Sequence, residues 1–96
     1  MNLAELRKFK PQIMELASQY GVSEIFVFGS VARGDADENS DVDLLVNLKP
    51  KTSLFDLIEF QQKLEDFLHK KIDIGQVGAI KNPIRLARIT REQVAL

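Results

Sequence analysis

Two aspartates one residue apart, Asp41 and Asp43, follow a Gly29-Ser30 pair after ten intervening residues. In an extended strand, residues i and i+2 share a face about 6.5 Å apart along the chain. Two carboxylates so placed repel each other unless a cation lies between them. Oxygen-only donors suit Mg²⁺ or Mn²⁺, and two such ions roughly 3.5–4 Å apart can clamp a phosphoryl group in flight. Gly29-Ser30 closes an apolar stretch. A small residue there lets backbone amides approach an anion, and the Ser30 hydroxyl can donate to a phosphate oxygen. Asp73 stands alone between Ile72 and Ile74; a carboxylate in an apolar strand could bridge a second ion or act as a general base. Each feature has a plainer alternative: a turn, a solvated strand end, an edge-strand charge. Their joint spacing, in the strand-and-turn context that phosphoryl chemistry needs, favours the chemical reading.

Further side chains are weighed against that trio. Arg33 follows the glycine-serine turn, where a guanidinium could steady a triphosphate or simply face solvent. Ser40 could orient Asp41 through a local hydrogen bond. Ser30 is not expected to be a covalent nucleophile, since no Gly-x-Ser-x-Gly elbow surrounds it. His69, the only histidine, lies in a charged turn and reads as a solvated helix end. Lys81, Arg85, Arg88 and Arg91 fall near one side of the last expected helix. Such a run is either a solvated face or a surface for an acidic partner or a nucleotide's phosphates.

The elements that must position these residues follow from periodicity. Leu3, Leu6, Phe9, Ile13, Leu16 and Tyr20 recur at helical spacing. Asn2 with Glu5 resembles a capping pair, Pro11 restarts the helix after a break near Lys10, and Gly21 stops it. Residues 24–28 (EIFVF) read as a strand, residues 31–33 as a helical turn and residues 34–40 as a polar loop. Residues 41–48 form a second strand, with Val42, Leu44 and Val46 on one face and Asp41, Asp43 and Leu45 on the other. Ser53 and Asp56 fit a capping box opening a helix to Leu68. Its buried stripe is read as Leu54, Leu57, Ile58, Leu64, Phe67 and Leu68. Residues 71–77 are a third strand carrying Asp73. Asn82-Pro83 opens a last helix to about Thr90, and residues 92–96 are an extended tail. This order predicts an α/β or α+β architecture: a small mixed sheet of three or more strands flanked by helices.

Composition narrows the function. The 96 residues fit a single domain, residues 1–96, and 45% hydrophobic content marks a globular chain. The absence of cysteine excludes disulfides, thiolate metal sites and thiol nucleophiles. No apolar run approaches the roughly 18 residues of a membrane span, and the charged N-terminus does not read as a signal peptide. A cytoplasmic protein without a membrane partner is therefore expected. A net charge of −1 argues against an extended nucleic-acid groove.

The stretch FGSVARGDADENSDVDLLV, residues 28–46, resembles the signature of the DNA polymerase β-type nucleotidyltransferase superfamily, and most closely its minimal nucleotidyltransferase family. The likeness covers nearly the whole chain. It implies a polymerase β palm-like fold. Gly29, Ser30 and Arg33 would then hold the nucleotide, and Asp41, Asp43 and Asp73 would form the catalytic and metal-binding set. The substrate would be ATP with Mg²⁺ or Mn²⁺. Members of this kind are similar to antitoxins that transfer AMP onto a tyrosine of a HEPN-class RNase toxin. The resemblance thus implies a hetero-oligomeric partnership with such a toxin, the type VII arrangement. Two other readings stand beside it. The chain could be a binding antitoxin that works by complex formation alone, or it could modify a small molecule or nucleic acid with the help of a separate subunit.

Overall fold

The computed structural model describes residues 1–76 and 81–96. The chain runs α1 (Leu3–Lys8), α2 (Lys10–Gln19), β1 (Val22–Phe28), α3 (Gly29–Arg33), β2 (Val42–Leu48), α4 (Leu54–Leu68), β3 (Ile72–Gln76), α5 (Pro83–Glu92) and β4 (Val94–Ala95). The strands make one mixed sheet in the order β3-β2-β1-β4. β2 is antiparallel to β1 and parallel to β3, and β4 pairs antiparallel with Phe26 and Val27 of β1. The expected mixed sheet flanked by helices is thus what the chain forms. The tail expected to be merely extended adds the fourth strand. The end of the third strand, at Val77, lies outside the described residues.

Local signals place the helix ends. Asn2 Oδ1 accepts from the Glu5 N–H at 2.8 Å. Phe9 carries the break between α1 and α2, and Pro11 sits in the first turn of α2, where its missing N–H costs nothing. The capping box at α4 is complete: the Asp56 N–H donates to Ser53 Oγ at 3.2 Å and the Ser53 N–H to Asp56 Oδ2 at 3.0 Å. Asn82 Oδ1 accepts from the N–H groups of Ile84 and Arg85 at 3.0 and 3.2 Å, opening α5.

The core lies on one side of the sheet. Val27 of β1, Val42, Leu44 and Val46 of β2 and Ile72 of β3 pack against Leu6, Ile13 and Ala17 of α1 and α2 and against Leu57, Phe60 and Leu64 of α4. The period-two reading of β2 is correct for this face. On α4 the expected stripe is partly wrong: Leu54, Ile58 and Phe67 are exposed, and Phe60, outside that stripe, is fully buried together with Leu64. Leu57, Phe60, Leu64 and Leu68 align at spacings of three and four, and Leu54 and Ile58 fall on the flank of that line. Burying a side chain like Phe60 is worth roughly 1.5–3 kcal/mol.

α4 makes the crossover between the parallel strands β2 and β3, as such a connection requires. Two side chains fasten it to the start of β3: Gln61 Nε2 donates to the Ile72 carbonyl at 2.7 Å, and Glu65 Oε2 accepts from the Ile72 N–H at 3.1 Å. This anchoring sets the register that brings Asp73 beside Asp43. α4 ends on His69, exposed and left-handed at φ 54°. Glycine tolerates that conformation without the side-chain penalty. His69→Gly is therefore expected to raise stability by about 0.5–1 kcal/mol, a gain of a few degrees in the thermal midpoint read by circular dichroism.

Candidate active site

The acidic residues meet in one row across the sheet. Phe28 of β1 faces Asp43 of β2, and Asp43 faces Asp73 of β3. Register partners share a face and adjacent strands lie about 4.8 Å apart, so Asp43 and Asp73 stand side by side. Asp41 falls one residue before β2. Its Oδ2 lies 3.9 Å from Lys71 Nζ in an exposed pair, an interaction worth little in water. Asp73 is exposed and Asp43 is half-buried. Burial first, then the charges of Asp73 and Asp41, push the Asp43 carboxyl above the usual carboxylate range, and Arg33 pulls it partly back.

Gly29 opens α3 instead of closing β1, with φ at +71°. A Cβ at this position would overlap Asp43 Oδ2. The missing side chain is what lets the turn lie directly against the carboxylate, so the glycine and the aspartate read separately in the sequence form one piece of geometry. The Ser30 carbonyl accepts from the Gly34 and Asp35 N–H groups at 3.0 and 3.1 Å, which closes the short helix. Gly34 caps it in the left-handed region at φ 86°.

A cavity of about 320 Å³ opens where these parts meet, and Gly29, Ser30, Arg33 and Asp43 all line it. Its far wall is α5, which contributes Arg85, Arg88 and Glu92. Arg33 is held at this mouth by two carboxylates: its Nε donates to Asp35 Oδ2 at 3.3 Å and its Nη1 to Glu92 Oε2 at 3.3 Å. The site thus combines a turn of small residues, an acidic row at the base and guanidinium groups on two sides. Such an arrangement can bind a polyphosphate and neutralise charge as it shifts between oxygens.

Gly29, Ser30, Arg33 and Asp43 border a single cavity, Asp73 stands next to Asp43 on the neighbouring strand, and Asp41 is beside the row but turned towards Lys71. Among the described residues, no three of His, Cys, Asp and Glu converge closely enough to hold a metal ion. The donor set itself is oxygen-only, and the repulsion felt at Asp43 is the electrostatic counterpart of affinity for a hard divalent cation. These residues therefore suit Mg²⁺ or Mn²⁺ in type. In the sequence Arg85 and Arg88 read only as part of a basic run, either a solvated face or a surface for an acidic partner or phosphates, and Glu92 is not singled out. Their signal was present as spacings of three, four and seven along α5, the pattern of a single helix face. Lys81 and Arg91, read with the two arginines as lying near one side of the last helix, do not line the cavity.

Comparisons with known proteins converge on the same group. The profile of the family described as nucleotidyltransferase domain matches residues 6–94. The protein adenylyltransferase MntA of Thermococcus cleftensis is 43% identical over 70 residues, covering 73% of this chain and 71% of that protein. A solved structure described provisionally as a minimal nucleotidyltransferase superposes with a TM-score of 0.85 at 34% identity, covering 100% of this chain and 97% of that one. A complex described as tri-AMPylated Shewanella oneidensis HEPN toxin with MNT antitoxin contains a chain of the same fold. Its TM-score is 0.66 and its identity 16%, over 93% of this chain and 69% of that one.

Proposed function

The chain belongs to the nucleotidyltransferase domain family and is a nucleotidyltransferase, and from that premise we propose that it transfers AMP from ATP to a hydroxyl group of a partner protein, a tyrosine of a HEPN-type RNase toxin. The observation that carries the chemistry is the single cavity shared by the Gly29-Ser30 turn, Asp43 and guanidinium groups from α3 and α5. The choice of acceptor is supported by the name of the Thermococcus cleftensis relative and by the description of the Shewanella oneidensis complex. The antitoxin would then act as the enzyme of a hetero-oligomeric pair. Among the described residues no helix is long and apolar enough to cross a membrane, and a cytoplasmic setting is proposed with the rest.

In this reading the Ser30 hydroxyl and the amides of its turn hold the phosphates, with Arg33 steadying them. Asp41, Asp43 and Asp73 would hold Mg²⁺ or Mn²⁺, which supplies charge neutralisation and alignment of the phosphates when bound. The acceptor oxygen attacks the α-phosphorus in line. A new oxygen–phosphorus bond forms, the bond to the bridging oxygen breaks, and pyrophosphate leaves with the electron pair. The acceptor's proton would pass to a carboxylate, in this reading Asp73, or to water. The protein's share is mainly positioning and electrostatics.

A second reading, neutralisation by complex formation without transfer, draws on one observation: the carboxylates do not converge as a closed metal centre among the described residues. Incubation of the protein with Mg²⁺, the cognate toxin and ATP labelled in the α-phosphate separates the two. Label on the toxin, absent when the γ-phosphate carries it, is expected. A tight complex that never acquires label would leave only the binding role.

A further inference from the structure

α5 is built in an unusual way for a helix resting on a sheet. Of its residues only Ile89 is buried. The stripe that faces α3, at spacings of three, four and seven, reads Arg85, Arg88, Ile89, Glu92. A helix packed for stability alone places apolar residues on that stripe. Here two guanidinium groups flank a single isoleucine and look across the cavity at the Gly29-Ser30 turn. Glu92 is engaged twice. Its Oε2 accepts from Arg33 Nη1 at 3.3 Å and its Oε1 from Arg88 Nε at 3.5 Å. One carboxylate thus bridges cations from both walls, and Arg85 has no carboxylate within ion-pair distance among the described residues. The cavity wall carries three guanidiniums against the carboxylates of Asp43 and Glu92, an excess of positive charge placed away from the acidic row.

We propose that Arg85 and Arg88 of α5 receive the β- and γ-phosphates of the bound nucleotide, and that Glu92 is a built-in competitor for the guanidinium groups of Arg88 and Arg33, displaced by the polyphosphate on binding and re-engaged as pyrophosphate leaves. This rests on the nucleotidyl-transfer reading and deepens it. A diphosphate tail presents several anionic oxygens, which guanidinium groups match with paired hydrogen bonds. A bridging carboxylate that occupies two of the three cations lowers affinity for that tail without touching the α-phosphate. It makes the site release its inorganic product faster than bare cations would. On this assignment Arg85 and Arg88 serve the diphosphate tail alone, so AMP affinity is expected not to depend on them.

The test is calorimetry on the full chain with three probes, each with Mg²⁺: pyrophosphate, ATP and AMP. The variants are Arg88→Gln, the double variant Arg85→Gln/Arg88→Gln, and Glu92→Gln. Each guanidinium lost is expected to weaken pyrophosphate and ATP by about tenfold and to leave AMP unchanged. Arg88→Lys should restore part of the loss, because it keeps the charge. Glu92→Gln should tighten pyrophosphate several-fold and slow its release. Equal weakening of AMP and pyrophosphate in the double variant, or unchanged pyrophosphate binding, would overturn the role of the arginines. Weaker pyrophosphate binding in Glu92→Gln would overturn the competitor. Failure of the unaltered protein to bind either ATP or pyrophosphate would instead remove the nucleotidyl-transfer reading on which both depend.

Discussion

Asp43→Asn is expected to abolish nucleotidyl transfer and, in the same protein without metal, to raise its thermal stability. Asp43 is the hub of the acidic row: it faces Asp73 across the strand pair, lies two residues from Asp41, and borders the cavity. Neutralising it removes anionic charge where, on the proposed mechanism, a divalent cation would be held. A loss of about 4 kcal/mol in barrier lowering corresponds to roughly a thousandfold in rate. Asp41→Asn should cost turnover by a similar factor. The stability effect has the opposite sign. Burial and the two neighbouring carboxylates raise the Asp43 pKa in the fold. Between the ordinary carboxylate pKa and that raised value, the folded chain binds more protons than the unfolded one. Stability therefore falls as pH climbs through this window and stays lower above it. Asparagine removes that penalty, so the variant should melt higher at neutral pH and show a flatter profile on the acid side. Added Mg²⁺ should stabilise the unaltered protein more than the variant. Thermal midpoints across the acid-to-neutral range, measured beside the labelled-ATP assay, check both halves. Full activity in the Asp41→Asn/Asp43→Asn double variant would refute the catalytic role of this row.

Gly29→Ala should be nearly as damaging for activity, through a different physical route. Left-handed backbone costs an alanine roughly 1–2 kcal/mol, and its Cβ would also overlap Asp43 Oδ2. The chain can relieve the clash only by moving the turn or the carboxylate, and either displaces phosphate donors from the acidic row. A combined cost of about 2–3 kcal/mol in stability follows, together with a loss of at least about a hundredfold in turnover from misplacement. Gly34→Ala is the internal control. Its φ is also positive, but a Cβ there meets nothing within 4 Å. It should show the backbone penalty alone, with turnover kept. Equal turnover in the two variants would mean that the Gly29–Asp43 contact has no bearing on the reaction.

Much of this site could be read before any fold was known, because its signals are local. The i, i+2 spacing of Asp41 and Asp43 needs only the pleat of one strand, and Gly29-Ser30 needs only a strand end. Asp73 was legible from its apolar neighbours, but its place beside Asp43 depends on the crossover through α4 and on Gln61 and Glu65 fastening Ile72. What escaped the sequence is set by tertiary packing. Nothing local says that Phe60 turns inward while Leu54 and Ile58 turn out, since each is apolar and lies three or four residues from another apolar position of the helix. Nothing local says that residues 94–95 pair with β1 rather than trail into solvent. The face of α5 that looks at the cavity is equally a product of packing. The three arginines on that helix divide into Arg85 and Arg88, which line the cavity, and Arg91, which does not. The pairing of Asp41 with Lys71 arises because β2 and β3 are neighbours.

Among the described residues β3 is the outermost strand on its side of the sheet, and Asp73 stands exposed on it. If the reaction runs at this rim, as proposed, the site would not sieve its recipients by size, and bystanders, water included, would reach it as easily as the intended one. Discrimination must then be kinetic: a recipient is modified in proportion to how long it lingers with its oxygen in line. Fidelity would be written into the dwell time of the encounter, and any change that prolongs a foreign protein's stay at this rim should widen the range of what is marked.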